Sequence, residues 1–174
     1  DKIDVFNLGT DGKLTLSTEN LSLSEARGYL SAAAIGNNLV VAGGYKGNGA
    51  YSDKIDVFTT VGMDGKLTKS TENLTLSEAR SGLSAAAIGN KLVFAGGQKG
   101  NSTYSNKIDV FTVGSDGKLT KSTENLSLSE ARTELSAATI GNKLVFAGGV
   151  NLNGNYSTAV DVFTIGADGK LFKS

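Results

Sequence analysis

A threefold internal repeat is the feature that most constrains how this chain can fold. The run 78–97 recurs with few changes at 25–44 and at 130–149. Its arginine falls at the same place in each copy, with steps of 53 and 52 residues, and an aspartate repeats at the same period four times: Arg27, Arg80, Arg132; Asp4, Asp56, Asp109, Asp161. A period of roughly 50 residues is typical of arrays in which small supersecondary units pack against their neighbours. The sequence therefore predicts a tandem array.

Each unit contains four segments with the composition of β-strands. In the middle unit they are 83–88, 91–95, 107–113 and 118–123, and a Gly-Asn pair separates the first two, as expected for a tight hairpin. The second segment is almost entirely apolar, which indicates burial on both faces. The fourth is polar and carries two lysines, which suits an outer sheet edge. We therefore predict a four-stranded antiparallel sheet, with the short segment before the first strand as a connection rather than a helix.

Four antiparallel strands in a unit of about 50 residues describe one blade of a β-propeller. The order of features within the unit also resembles the kelch repeat. It runs from an Arg through a strand of small residues, a Gly-Asn turn, an apolar strand and a Gly pair to a loop with a Tyr and an Ile-Asp-Val-Phe strand; the tyrosines are Tyr51, Tyr104 and Tyr156. Kelch repeats usually carry a Trp in the fourth strand, and this chain has none. The resemblance implies an all-β fold, a β-propeller of divergent kelch-like four-stranded blades.

The repeat boundaries predict a single domain made of a partial unit and three complete ones. The partial unit spans 1–23, and the others span 24–76, 77–128 and 129–174. This amounts to about three and a half blades, whereas closed propellers have about 4–8. The chain is thus expected to be part of a larger propeller, or identical copies are expected to associate and close the ring. The likeness of the units also allows an engineered or duplication-derived repeat assembly with no specific ligand.

Composition narrows the chemistry that the chain can perform. There is no Cys and no His, which removes disulfides, the usual zinc ligands and the common nucleophile–base pairs. Seventeen acidic and seventeen basic side chains balance, so no basic stripe points to nucleic acid. No apolar run approaches the ~18 residues of a membrane-spanning helix. Paired carboxylates are the remaining route to catalysis, but the candidate glutamates recur from unit to unit, as structural residues do. We predict a non-enzymatic protein without metal, cofactor, nucleic-acid binding or membrane insertion.

The repeated arginines are the first candidate for a ligand site. In kelch domains that bind acidic peptides, arginines just before the inner strand surround the mouth of the propeller. By that resemblance Arg27, Arg80 and Arg132 would bind carboxylates or phosphates, which the planar guanidinium fork matches. The alternative is structural: each Arg pairs with the Glu two residues before it and holds the blades together.

The loops between the second and third strands are the second candidate, because they differ most among the copies. Variable loops on a regular scaffold often carry binding specificity, although drift of unconstrained loops explains the variation equally well. The leading functional hypothesis is a protein–protein interaction scaffold. The alternative is a carbohydrate-binding, lectin-like propeller, since Asn and Tyr side chains offer hydrogen bonds and a stacking face. The candidate loop residues are Tyr45, Lys46, Asn48, Gln98, Lys99, Asn101, Asn151, Asn153 and Asn155.

Overall fold

The computed structural model describes residues 2–61, 65–100 and 102–174, and of Val61 only the backbone. The described residues form β-strands, turns and connections, with no helix and hence no helical membrane span. The strands are β1 (Lys2–Ile3), β2 (Phe6–Leu8), β3 (Leu14–Leu16), β4 (Leu21–Ser22), β5 (Ser31–Ile35), β6 (Asn38–Ala42), β7 (Tyr45–Gly47), β8 (Ala50–Tyr51), β9 (Lys54–Val61), β10 (Lys66–Lys69), β11 (Leu74–Thr75), β12 (Ser84–Ile88), β13 (Lys91–Ala95), β14 (Ile108–Val113), β15 (Leu119–Lys121), β16 (Arg132–Thr133), β17 (Ser136–Ile140), β18 (Lys143–Ala147), β19 (Val150–Asn151), β20 (Val160–Ile165) and β21 (Leu171–Lys173).

Three antiparallel sheets contain most of these strands, and each repeats the same order. The orders are β5-β6-β9-β10, β12-β13-β14-β15 and β17-β18-β20-β21, with β11 pairing alongside β9 in the first. The predicted all-β class and the antiparallel four-strand order are therefore confirmed. The polar fourth strands β10, β15 and β21 lie at sheet edges, as predicted. In the middle sheet Ile88 pairs with Lys91, so two residues alone make the first hairpin turn.

The predicted strand bounds hold most closely where the residues are apolar. Segment 91–95 coincides with β13, which is buried along its whole length. The fourth strand is shorter than predicted, because β15 ends at Lys121. Beyond that point the amide of Ser122 donates to the carbonyl of Val110 at 2.8 Å, and its hydroxyl accepts from the amide of Glu124 at 3.2 Å. The first bond still joins this strand to β14, whereas the second is local, and a local side-chain bond of this kind competes with the ladder.

The sheets pack through their faces, and their first strands β5, β12 and β17 lie side by side. The alanines of β12 make this close approach feasible, since Ala85 and Ala87 contact the core between the first two sheets and Ala86 contacts the core between the last two. The first core combines Val40 of the first sheet with large side chains of the second sheet such as Phe111. Burying each large apolar side chain contributes about 1.5–3 kcal/mol. Neighbouring units therefore stabilise one another.

The two ends of the array expose apolar side chains that the middle buries. The hairpin β2–β3 is equivalent to the third and fourth strands of the later units. Its Phe6 is 58% exposed, whereas the equivalent Phe111 is 1% exposed. At the other end, Ile140 is 75% exposed and its equivalent Ile88 is 3% exposed. The packing partner that each middle unit has in its neighbour is thus missing at these two surfaces.

Candidate functional site

The three repeated arginines lie inside the fold, with side chains that are 0% exposed. Nη2 of Arg80 donates to Oδ2 of Asp109 at 2.7 Å, and the equivalent bonds are 2.7 Å for Arg27–Asp56 and 2.8 Å for Arg132–Asp161. Nη1 of Arg80 also donates within the fold, to the carbonyl of Lys107 at 3.1 Å and to the hydroxyl of Ser105 at 3.2 Å. None of these guanidinium groups is thus exposed to a ligand in solution.

Each buried aspartate collects further donors. Asp109 accepts from the amide and hydroxyl of Ser77, both at 3.0 Å, and Nζ of Lys121 lies 3.1 Å from its Oδ1. The same set recurs in the other two units. Ser24 and Lys69 surround Asp56, and Ser129 and Lys173 surround Asp161. We call each set an Arg–Asp–Lys cluster. A buried carboxylate needs such donors, because an isolated charge inside a protein is costly.

The pKa values of the buried aspartates result from two opposing effects, burial and hydrogen bonding. Burial alone would raise the pKa of Asp56, but hydrogen bonds from Lys69 and Ser24, with the charge of Arg27, hold that pKa below its usual value. The pKa of Asp161 is lowered for the same reasons. Burial alone would raise this pKa, but the hydrogen bonds from Lys173 and Ser129 outweigh that effect. Both aspartates are therefore anionic at neutral pH, as a structural ion pair requires.

The ion pair between each arginine and the Glu two residues before it is present, at 3.5–3.8 Å, but the bond to the aspartate is shorter. Nη1 of Arg80 lies 3.8 Å from Oε1 of Glu78, beyond hydrogen-bond distance, whereas Asp109 is bonded directly. Glu78 itself bonds to the Ser105 hydroxyl and pairs with Lys99 at 2.9 Å. Burial alone would raise the pKa of Glu78, but these bonds and the charges of Lys99 and Arg80 lower it below its usual value. The contacts of the arginines are those expected of a structural role. Ligand binding by the arginines stays a prediction, and none of the contacts described above favours it.

A cleft of about 240 Å³ opens beside these clusters and draws on all three sheet-forming units. Its walls come from the residues that follow each repeated arginine and from the loops that follow β6 and β13. Because β5, β12 and β17 lie side by side, these short segments meet at one end of the sheets. The lining residues are Tyr29, Tyr45, Tyr51, Ser81, Gly82, Gln98, Thr133 and Glu134. We call this the tyrosine cleft.

Backbone hydrogen bonds hold the walls of the tyrosine cleft in place. The amide of Gly82 donates to the carbonyl of Tyr29 at 2.8 Å, and the amide of Glu134 donates to the carbonyl of Gly82 at 2.8 Å. Within a unit, the amide of Ser81 donates to the carbonyl of Gln98 at 2.8 Å. The cleft is therefore built on backbone that is tied both within and between units, which favours a preorganised surface.

Three equivalent residues in the cleft share a left-handed backbone. Their φ angles are 53° at Tyr29, 62° at Gly82 and 57° at Glu134. Glycine is required at the middle position, because a Cβ there would lie 2.4 Å from Oγ1 of Thr133. The other two carry side chains, although a non-glycine residue in this region costs roughly 1–2 kcal/mol. Strain of this kind is concentrated at functional surfaces.

Tyrosine rings and one carboxylate give the cleft its chemistry. The rings of Tyr45 and Tyr51 meet edge to face, with centroids 5.3 Å apart and planes at 61°. The hydroxyl of Tyr45 accepts from the amide of Gly49 at 2.8 Å, which fixes the ring. Tyr29 is 74% exposed. Among the described lining residues only Glu134 is charged, and its side chain is exposed.

The structure brings two of the predicted loop residues into this cleft, Tyr45 and Gln98. Lys46 and Lys99 instead pair with glutamates. Asn48 and the asparagines of the last loop are not among the lining residues, and Asn101 lies outside the described residues. In that last loop, Oδ1 of Asn151 accepts hydrogen bonds from the amides of Asn153 at 3.1 Å and Asn155 at 3.2 Å, which shape the turn. In the described part of the chain, no acidic cluster is suited to hold a metal ion.

Comparison with known proteins bears on the fold alone. No family model matches the chain, and no curated protein matches it. The chain is similar to a solved structure described as "Structure of YjhT", with a TM-score of 0.71 and 19% sequence identity. The match covers 95% of this chain and 50% of that one. The two share a fold over this length. This chain thus spans about half of the solved chain that it matches.

The sequence contains a signal for the pairing of the repeated arginines with the repeated aspartates. An aspartate between apolar strand residues, as in Ile-Asp-Val, is unusual unless it is paired. Because Asp109 repeats at the same period as Arg80, their pairing could have been inferred. In the cleft, Tyr51 is recognisable only as the tyrosine of the repeat, and Tyr29 and Glu134 carry no signal at all. Tyr29 and Glu134 occupy a position where the middle unit has Gly82, so nothing in one unit marks them as parts of one site.

Proposed function

We propose that this chain forms part of a kelch-like β-propeller and acts as a non-enzymatic binding module for another protein. The tandem antiparallel sheets, packed through their first strands, support the arrangement of blades around an axis. The shared fold with half of a longer solved chain supports a place in a larger ring. A fold does not define a function. The functional proposal therefore depends on the surface that the sheets present.

The observation that carries the proposal is the tyrosine cleft. Three tyrosines of one unit, Tyr29, Tyr45 and Tyr51, converge at one end of the sheets on backbone that is tied to the other units by hydrogen bonds. Tyrosine is enriched at the energetic centres of protein interfaces, since it offers a large rigid ring with a polar tip. The buried arginines, in contrast, are paired with aspartates within the fold and have no exposed side-chain surface. The exposed aromatic surface is thus the best-supported place for a partner.

A peptide selection tests this proposal. The chain is screened against a displayed random peptide library, and the selected peptides are then measured on a Tyr29→Ser/Tyr51→Ser variant. The matched control is Tyr104→Ser/Tyr156→Ser, because these tyrosines lie outside the cleft lining. We expect peptides that bind the wild type and the control at least tenfold more tightly than the cleft variant, or roughly 1.4 kcal/mol. Selected peptides that bind all three chains equally, or no selected peptide at all, would refute the proposal.

Carbohydrate binding is the second candidate, and one observation favours it. The ring of Tyr51 and the side-chain amide of Gln98 line the same cleft, which offers a stacking face next to hydrogen-bonding groups. A glycan array probed with the wild type and the Tyr29→Ser/Tyr51→Ser variant separates the two functions. Sugar binding that needs the tyrosines, without any peptide binding, would replace the first candidate by the second. If neither ligand binds through the cleft, a repeat assembly without a specific ligand remains.

A further inference from the structure

We infer that the tyrosine cleft recognises a basic side chain, a lysine or an arginine, on an exposed segment of the partner protein. This inference rests on the proposed function and specifies its ligand. It follows from three properties of the cleft: its charge, its aromatic walls and its size.

The charge of the cleft favours a cation. Glu134 is the one charged residue among the described lining residues, and none of the ion pairs between described residues includes it. The lysines of the two loops that contribute to the cleft are already neutralised, since Lys46 pairs with Glu25 at 3.6 Å and Lys99 pairs with Glu78 at 2.9 Å. An incoming ammonium or guanidinium group would therefore meet an unmatched carboxylate.

The same arrangement disfavours an anion. The cations of the loops that line the cleft, Lys46 and Lys99, are each paired with a glutamate, and the repeated arginines are 0% exposed and bonded to aspartates. An acidic peptide or a phosphate would thus approach Glu134 while the lysines of these loops already have a carboxylate partner. The acidic ligand that the kelch resemblance implies for the arginines does not suit this surface.

The aromatic walls suit a cation as well. A tyrosine ring attracts a cation placed over its face, because the ring carries a negative quadrupole there. Tyr45 is held by its hydroxyl bond from Gly49, and Tyr51 packs against it edge to face, so these two rings need no reorganisation to accept a ligand. Tyr29 also lines the cleft and is exposed, so its ring is available to a ligand.

The size of the cleft selects a single side chain. Its volume is about 240 Å³, below the roughly 300–1,000 Å³ that hold a drug-sized ligand. A lysine or arginine side chain fits such a space, while the rest of the partner lies across the rim. The buried hydroxyl of Thr133 is not free to bind an additional ligand group, since it donates to the carbonyl of Gly82 at 3.2 Å. Recognition thus depends on the rings and on Glu134.

The test uses two peptides of one length, acetyl-Gly-Ser-Arg-Ser-Gly-amide and the same peptide with citrulline, the neutral isostere, in place of arginine. Intrinsic tyrosine fluorescence reports binding directly, because the chain has five Tyr and no Trp, and three of the five line the cleft. We expect the arginine peptide to bind and the citrulline peptide to bind at least about fivefold more weakly. Glu134→Gln should remove that preference, and added salt should weaken arginine binding because the pair is exposed.

Tyr51→Leu should weaken arginine binding by about two- to thirtyfold, the range spanned by cation–π contacts. Tyr156→Leu, at the equivalent position of the last unit and outside the cleft, should leave it unchanged. Equal binding of the two peptides, or arginine binding that Glu134→Gln leaves intact, would overturn the inference. If both peptides bind and binding depends on the tyrosines, the inference of a basic ligand fails but the proposed function stands. Absence of any peptide binding, here and in the library selection, would remove both.

Discussion

Replacing the aspartate of one Arg–Asp–Lys cluster tests the structural role of the arginines most directly. Asp109→Asn keeps the shape of the side chain and removes its charge, which leaves the fully buried Arg80 without its bonded counterion. Removing one partner of a buried pair costs about 3–5 kcal/mol, a large part of the roughly 5–15 kcal/mol by which domains are stable. In a chain of this size each kcal/mol lowers Tm by about 2–4 °C. We expect Tm to fall by about 6–20 °C in thermal unfolding followed by circular dichroism.

Two companion variants give this experiment its control. Lys121→Met removes a partner of the same carboxylate whose side chain is 41% exposed. Exposed pairs contribute about 0–1 kcal/mol, so its Tm should fall by less than about 4 °C. Arg80→Met/Asp109→Leu removes both buried charges and should cost less than Asp109→Asn alone. The reasoning is refuted if Asp109→Asn unfolds within about 1 kcal/mol of the wild type, or if the double variant is the least stable of the set.

Three further predictions concern pH, close packing and the exposed ends. The pKa of Asp161 is lowered by folding, so its contribution to stability is present above the unfolded pKa of about 4 and is lost as pH falls through the lower folded value; Tm should decline below about pH 4, and a constant Tm down to pH 2 would contradict this. Gly96→Ala places a Cβ 2.7 Å from a carbonyl oxygen of the next unit, whereas Gly117→Ala meets no atom within 4 Å at a similar φ of 77°; the first should cost at least about 1 kcal/mol more in urea unfolding, because overpacking adds to the shared backbone strain. Equal losses would show that the close approach is relieved at no cost. Ile140 is 75% exposed where the equivalent Ile88 is buried, so we expect this end to self-associate and Ile140→Lys to shift the mass in light scattering toward the monomer; an unchanged mass argues against association through this surface.

Much of the local structure could be predicted because its causes lie within a few residues. The Gly-Asn pair between the first two strands determines their register, and β13 coincides with its predicted segment because an apolar run of that length is stable only when buried. Polar strand ends were predicted less well. At these ends, bonds between side chains and nearby backbone compete with the ladder. One example is the bond from the Glu124 amide to the Ser122 hydroxyl.

The sequence by itself determined the repeat, the four main strands of each unit and the all-β class, because periodicity and strand propensity are local and recur unit by unit. Only the tertiary structure decided the short strand pairs in the connections, the distances from each arginine to its carboxylates, and the location of the cleft. Arg80 lies 2.7 Å from Asp109, 29 residues away, but 3.8 Å from Glu78, two residues away, because the fold buries the distant carboxylate on β14 while the near one is partly exposed. The tyrosine cleft exists only where three units meet. A residue such as Glu134 gains its role from neighbours that its own unit does not contain.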